Sequence, residues 1–303
     1  MTRKESARWQ IRRFLRLFLP PACVLAAAVL GVFVYLTYRL THPAAVQEPV
    51  NPSHYLLPSK DVDWNSMDGV RIPGWWIAGS NGAPGVVLAP GYGMSRADVL
   101  SLAAALYLEG YNVLTYDSRG SGAVPRGASS LGLEETDDMM AALNFLKSRT
   151  EVDTKCLGIW GVDVNARAAL KIAASEKDVR AVVADSVYDS AADFLGVLIR
   201  EDLGWDSRVL EFGCRQMFRL SRIGAKAAVD ERLPHGELGR RSILFIRGDN
   251  RADVARLTSA LYDVVQPPRE LITMRSARAR LMGSEELNSY DRQVTNFFRE
   301  HLH

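Results

Sequence analysis

The hydrophobic pattern first sets apart one long apolar segment near the N-terminus. From Leu17 to Tyr38 the chain carries no charged side chain, and about 20 apolar residues are enough to cross a hydrocarbon core about 30 Å thick. A cleaved signal peptide has a shorter apolar stretch, of about 7–15 residues, followed by a small-x-small cleavage site. The pattern therefore predicts that residues 17–38 form a retained transmembrane helix, with the lipid bilayer as its partner.

Beyond residue 60 the pattern changes to short apolar runs that alternate with segments of helical periodicity. This alternation is typical of strands joined by helices into a mostly parallel sheet. Strands are predicted over residues 70–78, 85–89, 112–116, 156–160, 181–185, 243–246 and 271–274, and helices over 97–109, 134–148, 164–175 and 286–301. Residues 191–234 interrupt the alternation with apolar-rich helical segments that no strand separates. We expect an α/β domain over residues 61–303 that carries this insertion as a helical cap.

The segment that joins the two patterns is rich in proline. Residues 39–60 include Pro43, Pro49, Pro52 and Pro58 and few apolar runs. Proline lacks an amide proton and has a fixed backbone angle, which disfavours regular helix. We therefore predict an extended tether between the membrane and the domain.

The charge distribution predicts an orientation and excludes one class of function. Residues 1–16 carry six basic side chains and only Glu5 as an acidic one, so they contribute +5 to a net charge of +2 and leave −3 for the rest. The positive-inside rule keeps such a basic flank in the cytoplasm. We expect a single-pass cell-membrane protein whose domain is extracytoplasmic, either periplasmic or extracellular. A mildly acidic body lacks the basic face that neutralises phosphates, so nucleic acid is not expected as a partner.

Two cysteines, Cys156 and Cys214, belong to the predicted extracytoplasmic domain. That compartment permits disulfides, but sequence spacing does not show that two thiols meet. We favour two unrelated buried thiols, and a bridge between them stays open at this point.

Five stretches of the domain carry a recognisable resemblance. In chain order they are MDGVRIPGWWI (67–77), PGYGMSRAD (90–98), YNVLTYDSRGSG (111–122), LGLEETDDMMAALNFL (131–146) and GIWGVDVNARAAL (158–170). They resemble blocks of bacterial α/β-hydrolases of the serine aminopeptidase S33 or acyl-transferase-like group, whose members often carry an N-terminal anchor. The resemblance implies an α/β-hydrolase fold from residue 61 onward. It also implies a structural pairing of Arg119 with the acidic start of the following helix.

The resemblance places the nucleophile of that family at a position that holds no serine here. The family motif G-x-S-x-G forms a sharp strand-to-helix turn that exposes a serine oxygen. In this chain the turn reads Gly161-Val162-Asp163-Val164-Asn165, so Asp163 replaces the serine and Asn165 the second glycine. Haloalkane dehalogenases and epoxide hydrolases do use an aspartate nucleophile, but a histidine-activated water must then break the ester.

The acid and histidine positions are also altered. The family acid lies in G-x-x-D-x-x-V, which aligns with Gly248 to Val254 and puts Arg251 in place of the acid. Asp249 and Asp253 are out of register and would substitute only if the loop shifted. The catalytic histidine falls in the loop before the last helix, where Arg278 is its counterpart.

No histidine of this chain lies in that loop. The five histidines are His42, His54, His235, His301 and His303. We interpret His235 as a solvated loop residue, the first two as part of the tether, and the last two as the end of the final helix. A guanidinium stays protonated and cannot act as a general base. The oxyanion donors are backbone amides, which the resemblance assigns to Tyr92 and Val164, so a polar pocket is expected to survive without catalysis.

These losses favour a catalytically inactive α/β-hydrolase-like protein, a pseudoenzyme. As an anchored domain it would act as a binding or accessory subunit of a membrane or envelope assembly, with a protein partner that the sequence does not identify. One alternative is a divergent hydrolase of the esterase, epoxide hydrolase or dehalogenase type that uses Asp163 as its nucleophile. Another is a ligand-binding sensor that uses the vestigial cleft. No cofactor or metal is expected.

Overall fold

A computed structural model of the chain describes residues 3–43, 50–120, 124, 128–204, 206–223, 228–276 and 281–302, with the backbone alone for residues 3–13 and 15. The strands are β1 Ser59–Asn65, β2 Arg71–Ile77, β3 Ala83–Ala89, β4 Asn112–Tyr116, β5 Val152–Val162, β6 Val179–Asp185, β7 Ser242–Gly248 and β8 Arg269–Met274. The α-helices are α1 Arg3–Thr41, α2 Leu100–Leu108, α3 Glu135–Lys147, α4 Val164–Ser175, α5 Ala191–Leu203, α6 Arg208–Ser221, α7 His235–Leu238, α8 Ala252–Val264 and α9 Ser284–His301. Two short 3₁₀ helices span Pro52–Tyr55 and Arg96–Val99.

The eight strands form one sheet in the order β1-β2-β4-β3-β5-β6-β7-β8. The pairs β1–β2 and β2–β4 are antiparallel, and the remaining pairs are parallel. Both faces are covered, because alternate residues of β3 join different core clusters: Val87 packs with α3 and α4, and Val86 and Leu88 pack with α2 and α9. This confirms the predicted mostly parallel sheet flanked by helices. It also brings the carboxyl ends of β3, β5, β6 and β7 to one edge, where loops collect side chains from distant parts of the chain.

The cap consists of α5 and α6, which follow β6 in the chain and precede β7. Ser190 begins α5 with a capping box, in which its side chain accepts the amide proton of Asp193. Gly204 ends α5 in the left-handed conformation with φ 65°. Phe194 of α5 and Cys214 and Phe218 of α6 share a buried cluster with Tyr92 of the sheet edge. The cap is therefore packed directly over the loops that follow the strands.

The N-terminal helix is long and apolar enough to span a membrane. Within it, residues Arg16–Thr41 include a window of mean hydropathy 2.4 that is not buried in the protein. The helix continues beyond Tyr38, and its last turn packs on the domain: Leu40 is buried, Tyr92 Oη donates to the Leu40 carbonyl at 3.0 Å, and the Ser129 amide donates to the Thr41 carbonyl at 2.8 Å.

The segment after α1 therefore differs from the extended tether that its prolines predict. Residues 44–49, part of that segment, lie outside the described ranges. Asn51 then begins the 3₁₀ helix with a capping box, with Pro52 in its first turn, where no amide proton is needed. Pro58 directly precedes β1, which begins two residues before the expected start of the domain.

Other structural expectations can be checked directly. Arg119 pairs with the acidic helix as predicted, through Glu134 at 2.7 Å and Asp138 at 2.5 Å. Cys156 is half-buried and Cys214 buried, and both are free thiols.

Candidate functional site

The turn between β5 and α4 holds Asp163 in a strained conformation. Its φ of 37° and ψ of −99° are unusual for a residue with a side chain, and its side chain is fully buried. A Cβ at Gly161 would lie 2.5 Å from the carbonyl oxygen of Asn165, so only glycine fits at the start of the turn. The turn therefore has the sharp strand-to-helix geometry of a G-x-S-x-G elbow, with a carboxylate where that motif has a serine hydroxyl.

The Asp163 carboxylate accepts the two amide protons that the sequence assigned to an oxyanion hole. Its Oδ1 lies 2.7 Å from the Tyr92 nitrogen and 2.8 Å from the Val164 nitrogen. Gly91 makes this approach possible, since a Cβ there would come within 2.6 Å of Oδ1. The structure thus brings the amides of Tyr92 and Val164 to one oxygen, and that oxygen belongs to a carboxylate of the protein itself.

Arg251 faces the second oxygen of the same carboxylate. It follows β7 and directly precedes α8, and its Nη1 lies 3.5 Å from Asp163 Oδ2. Its Nε and Nη2 contact the two carboxylate oxygens of Glu201, in cap helix α5, at 3.2 and 2.8 Å. Burial by itself lowers the pKa of Arg251, but the hydrogen bonds to Glu201 and the charges of Asp163 and Glu201 raise it overall. Arg251 is therefore a permanent cation that links the elbow to the cap.

A second ion pair connects the cap to α8, close to Asp163 and Arg251. Arg200, the residue before Glu201, contacts Asp253 of α8 at 2.7 Å. Asp253 is thus engaged with the cap, and Asp249 is exposed to solvent. Both carboxylates therefore have surroundings other than Asp163.

Asn165 occupies the second glycine position of the motif and has its own structural role. Its amide nitrogen donates to the Pro90 carbonyl and, at 3.1 Å, to Ser118 Oγ. These two acceptors follow β3 and β4, respectively. The side chain therefore connects the loops at the edge of the sheet, which a glycine cannot do.

The four histidines within the described ranges have their contacts away from Asp163. His42 contacts the Tyr38 carbonyl, His54 the Asn51 backbone, and His301 the Glu270 carboxylate. His235 begins α7 and lies 2.9 Å from Asp189, so its interpretation as a solvated loop residue was wrong. Arg278, the predicted counterpart of the catalytic histidine, and His303 lie outside the described residues.

Two acidic neighbours of the site were missed by sequence reasoning. Glu201 lies in the cap without a motif, so no sequence signal indicated that it would reach Arg251. Asp185 ends a buried strand, which is a signal that could have identified it, and it accepts a hydrogen bond from Tyr290 at 2.7 Å. Burial raises the pKa of Asp185 to about 7, against hydrogen bonds from Tyr290 and Ser186 that lower it.

Among the residues with described placement, no cluster of histidine, cysteine and carboxylate side chains forms a metal site.

Known proteins resemble parts of this chain in sequence. No protein-family model matches it. A thiohydrolase of Eupenicillium brefeldianum is 30% identical over 137 residues, which cover 44% of this chain and 44% of the relative. An uncharacterized protein of Mycobacterium tuberculosis is 30% identical over 182 residues, which cover 58% of this chain and 63% of that protein. The chain thus spans less than two thirds of the length of these curated relatives.

Solved structures resemble it over a larger share. An esterase of Pyrococcus furiosus superposes with a TM-score of 0.66 at 22% identity, and covers 88% of this chain and 100% of its own. An α/β hydrolase of a Penicillium species has a TM-score of 0.60 at 18% identity, and covers 81% of this chain and 99% of its own. Together with the order and directions of the eight strands, these likenesses show that the chain has the α/β-hydrolase fold.

Proposed function

We propose that this chain is a membrane-anchored α/β-hydrolase-like protein without catalytic activity, which acts as a binding or accessory subunit of a membrane or envelope assembly. The observation that carries the proposal is the state of Asp163, whose carboxylate accepts both oxyanion-hole amides and faces the Arg251 guanidinium. An oxyanion hole accelerates acyl transfer because its donors are free to bind the charge that develops on the substrate. Here those donors are engaged in the resting protein.

Arg251 argues against a hidden acid–base system. A triad needs a base that can take the proton of the nucleophile or of an attacking water. The cation nearest to Asp163 Oδ2 is a guanidinium, which holds its proton at any physiological pH. The group in the acid position therefore neutralises the carboxylate and has no proton to exchange.

One observation favours a second candidate function, hydrolysis with Asp163 as the nucleophile. The amides bind only Oδ1, and Oδ2 accepts no hydrogen bond from the described residues. An aspartate nucleophile needs one oxygen held and one free to attack. The ester it forms must then be hydrolysed by an activated water, and no described histidine lies beside it. The thiohydrolase resembles this chain in sequence, and the esterase resembles it in structure. For this reason thioesters and esters should be tested as substrates.

The vestigial cleft supports the ligand-sensor alternative less well. A polar ligand would have to displace a buried carboxylate from two short hydrogen bonds and from an ion pair. Breaking a buried pair by removing one partner costs several kcal/mol, on the order of 3–5. We therefore assign the binding role to the surface of the protein.

Fluorophosphonate labelling tests whether the site holds an activated serine. The full chain, purified in mild detergent, is expected to remain unlabelled, and so is Asp163→Ser, because an unactivated hydroxyl is a weak nucleophile at neutral pH. An active serine esterase of the same fold, labelled in parallel, is the positive control. Stoichiometric labelling of the wild type at any serine would contradict the proposal.

A further inference from the structure

The strongest unexplained feature is the way in which the apolar N-terminal helix meets the cap. Phe33 of α1 lies against Gly213 of α6, where a Cβ would come within 2.2 Å of the aromatic ring. One turn further on, Thr37 Oγ1 lies 3.5 Å from the carbonyl oxygen of Cys214. The glycine thus allows α6 to pack closely along the last turns of α1.

The depth of this contact follows from helix geometry. A helix rises about 1.5 Å per residue, so about 20 residues cross a hydrocarbon core of about 30 Å. If the core begins at Leu17, the first residue after the basic flank, it ends near Leu36. Phe33 then lies inside the hydrocarbon, roughly 5 Å below its edge at that rise. The part of α6 that touches Phe33 must reach the same level.

The outward face of α6 has the composition that this depth requires. Val209 and Phe212 precede Gly213 on that face, and Leu220 continues it two turns later. Their side chains are 71%, 66% and 56% exposed, and Ile223 beyond the helix is 79% exposed. Large apolar side chains exposed in a row mark a surface that contacts a partner or a membrane. The charged residues Arg215 and Arg219 of α6 both pair with Asp230, and the exposed Arg219 lies at the border of this apolar face.

We propose that cap helix α6 lies in the interface of the bilayer that α1 spans, with Val209, Phe212, Leu220 and Ile223 against the acyl chains of the leaflet nearest the domain. This inference rests on the proposed membrane anchoring of α1. An amphipathic helix in this position buries its apolar face about 5–10 Å into the boundary between headgroups and acyl chains. The domain is then held against the membrane by two helices, and the cap over Asp163 faces the lipid surface.

Spin-label accessibility in lipid vesicles tests this directly on the full-length chain. Cys23 and Cys156 are replaced by serine, and Cys214 is left in place because it is buried. A nitroxide is then attached at Phe212→Cys or Leu220→Cys. Leu25→Cys in the span is the lipid control. Leu108→Cys is the water control, because this leucine is 83% exposed at the end of α2, which packs on α9 rather than on α1.

The expected result is that labels at positions 212 and 220 resemble the label at position 25. They should collide with oxygen, which concentrates in lipid, and be protected from a water-soluble nickel chelate, with a ratio at least several-fold above that at position 108. If position 25 is in lipid while 212 and 220 behave like 108, the anchor stands and the proposed position of α6 is overturned. If position 25 is also in water, the membrane anchor itself fails. Two positions on α6 are used so that a local disturbance at one of them does not decide the outcome.

Discussion

At the scale of single residues, the charges of Asp163 and Arg251 compensate each other. A buried carboxylate at the elbow is costly unless hydrogen bonds and a cation compensate for its lost hydration. Asp163 receives two backbone hydrogen bonds, and Arg251, at the position that the sequence analysis predicted for the triad acid, supplies the cation. The two substitutions are therefore physically coupled: an acid at position 251 would place two carboxylates side by side. A cation at position 251 therefore suits a carboxylate at position 163.

The first prediction concerns the partner of the buried carboxylate. Arg251→Met keeps a side chain of similar length but leaves Asp163 buried without a cation. We expect a loss of about 3–5 kcal/mol in the free energy of unfolding, the usual cost of breaking a buried ion pair. Urea unfolding of the full chain in detergent measures it.

A matched control and a rescue accompany this variant. Arg256→Met removes an arginine that contacts Asp253 but is 78% exposed, and it should cost no more than about 1 kcal/mol. Adding Asp163→Asn to Arg251→Met should recover part of the loss, because it removes the uncompensated charge. Equal losses for Arg251→Met and Arg256→Met, or no recovery, would show that Arg251 does not compensate Asp163.

At the scale of secondary-structure elements, apolar runs predicted the buried strands well, and the polar elements were missed. β3 and β6 are apolar along most of their length because both faces of the sheet are covered. β1 reads Ser-Lys-Asp-Val-Asp-Trp-Asn, an edge strand with half of its side chains in water, and was assigned in part to the tether. Helix α8 was not predicted. Its two valines and its threonine lower the helical propensity, and the helix packs on β7 and on α5.

For the candidate site as well, some residues could be predicted from the sequence and others could not. The elbow at Asp163, the amides of Tyr92 and Val164 and the arginine at position 251 were predictable, because each has a fixed place in a motif. The contact of Arg251 with Glu201 was not, because it depends on how α5 of the cap is positioned over α8. Arg278 was assigned by the same kind of register and lies outside the described residues, so that assignment stays a prediction.

The second prediction concerns the end of β6, where Asp185 accepts a hydrogen bond from Tyr290 of α9. Burial raises the pKa of Asp185 from its ordinary value of 3.8 to about 7. Between these two pH values the carboxyl is protonated in the folded protein and ionised in the unfolded chain. The folded state then binds more protons than the unfolded state between these values, and stability falls as the pH rises from about 4 through about 7. Asp185→Asn should flatten this decline in thermal unfolding.

A second carboxyl provides an internal comparison for this pH dependence. Burial also raises the pKa of Asp291 in α9, to about 6, against a hydrogen bond from Ser101 that lowers it. Asp291→Asn should flatten the decline as well, over a range that ends at lower pH, and the double variant should combine both effects. A wild-type slope in Asp185→Asn would mean that this carboxyl is not protonated in the folded protein.

At the scale of the whole molecule, α1 and the domain form one body in which the last turn of the apolar helix packs beside Tyr92. The contacts of Leu40 and Thr41 join the end of α1 directly to the domain. With a basic flank before the apolar part of α1, the positive-inside rule predicts that the domain lies outside the cytoplasm. The polar edge of the site is covered by the cap and by the last turn of α1, and in the proposed arrangement this side faces the membrane surface.

The third prediction tests this orientation with proteinase K on right-side-out membrane vesicles that contain the full chain. An epitope tag at the C-terminus should be removed by protease added outside, while a tag at the N-terminus should persist until detergent opens the vesicles. Inside-out vesicles should give the reverse pattern. Protection of the C-terminal tag in right-side-out vesicles would show that the domain is cytoplasmic.

Hydrolysis by the purified wild-type chain tests the central claim most directly. The rates on a p-nitrophenyl ester, an acyl thioester and an epoxide are compared with those of Asp163→Asn and of buffer alone, with an active esterase of the same fold as the positive control. The Asp163 carboxylate occupies the amides of the oxyanion hole, and Arg251 neutralises the charge of that carboxylate. We therefore predict that wild type, variant and buffer give the same rate on every substrate. A wild-type rate above buffer that Asp163→Asn abolishes would contradict the account and identify Asp163 as a nucleophile.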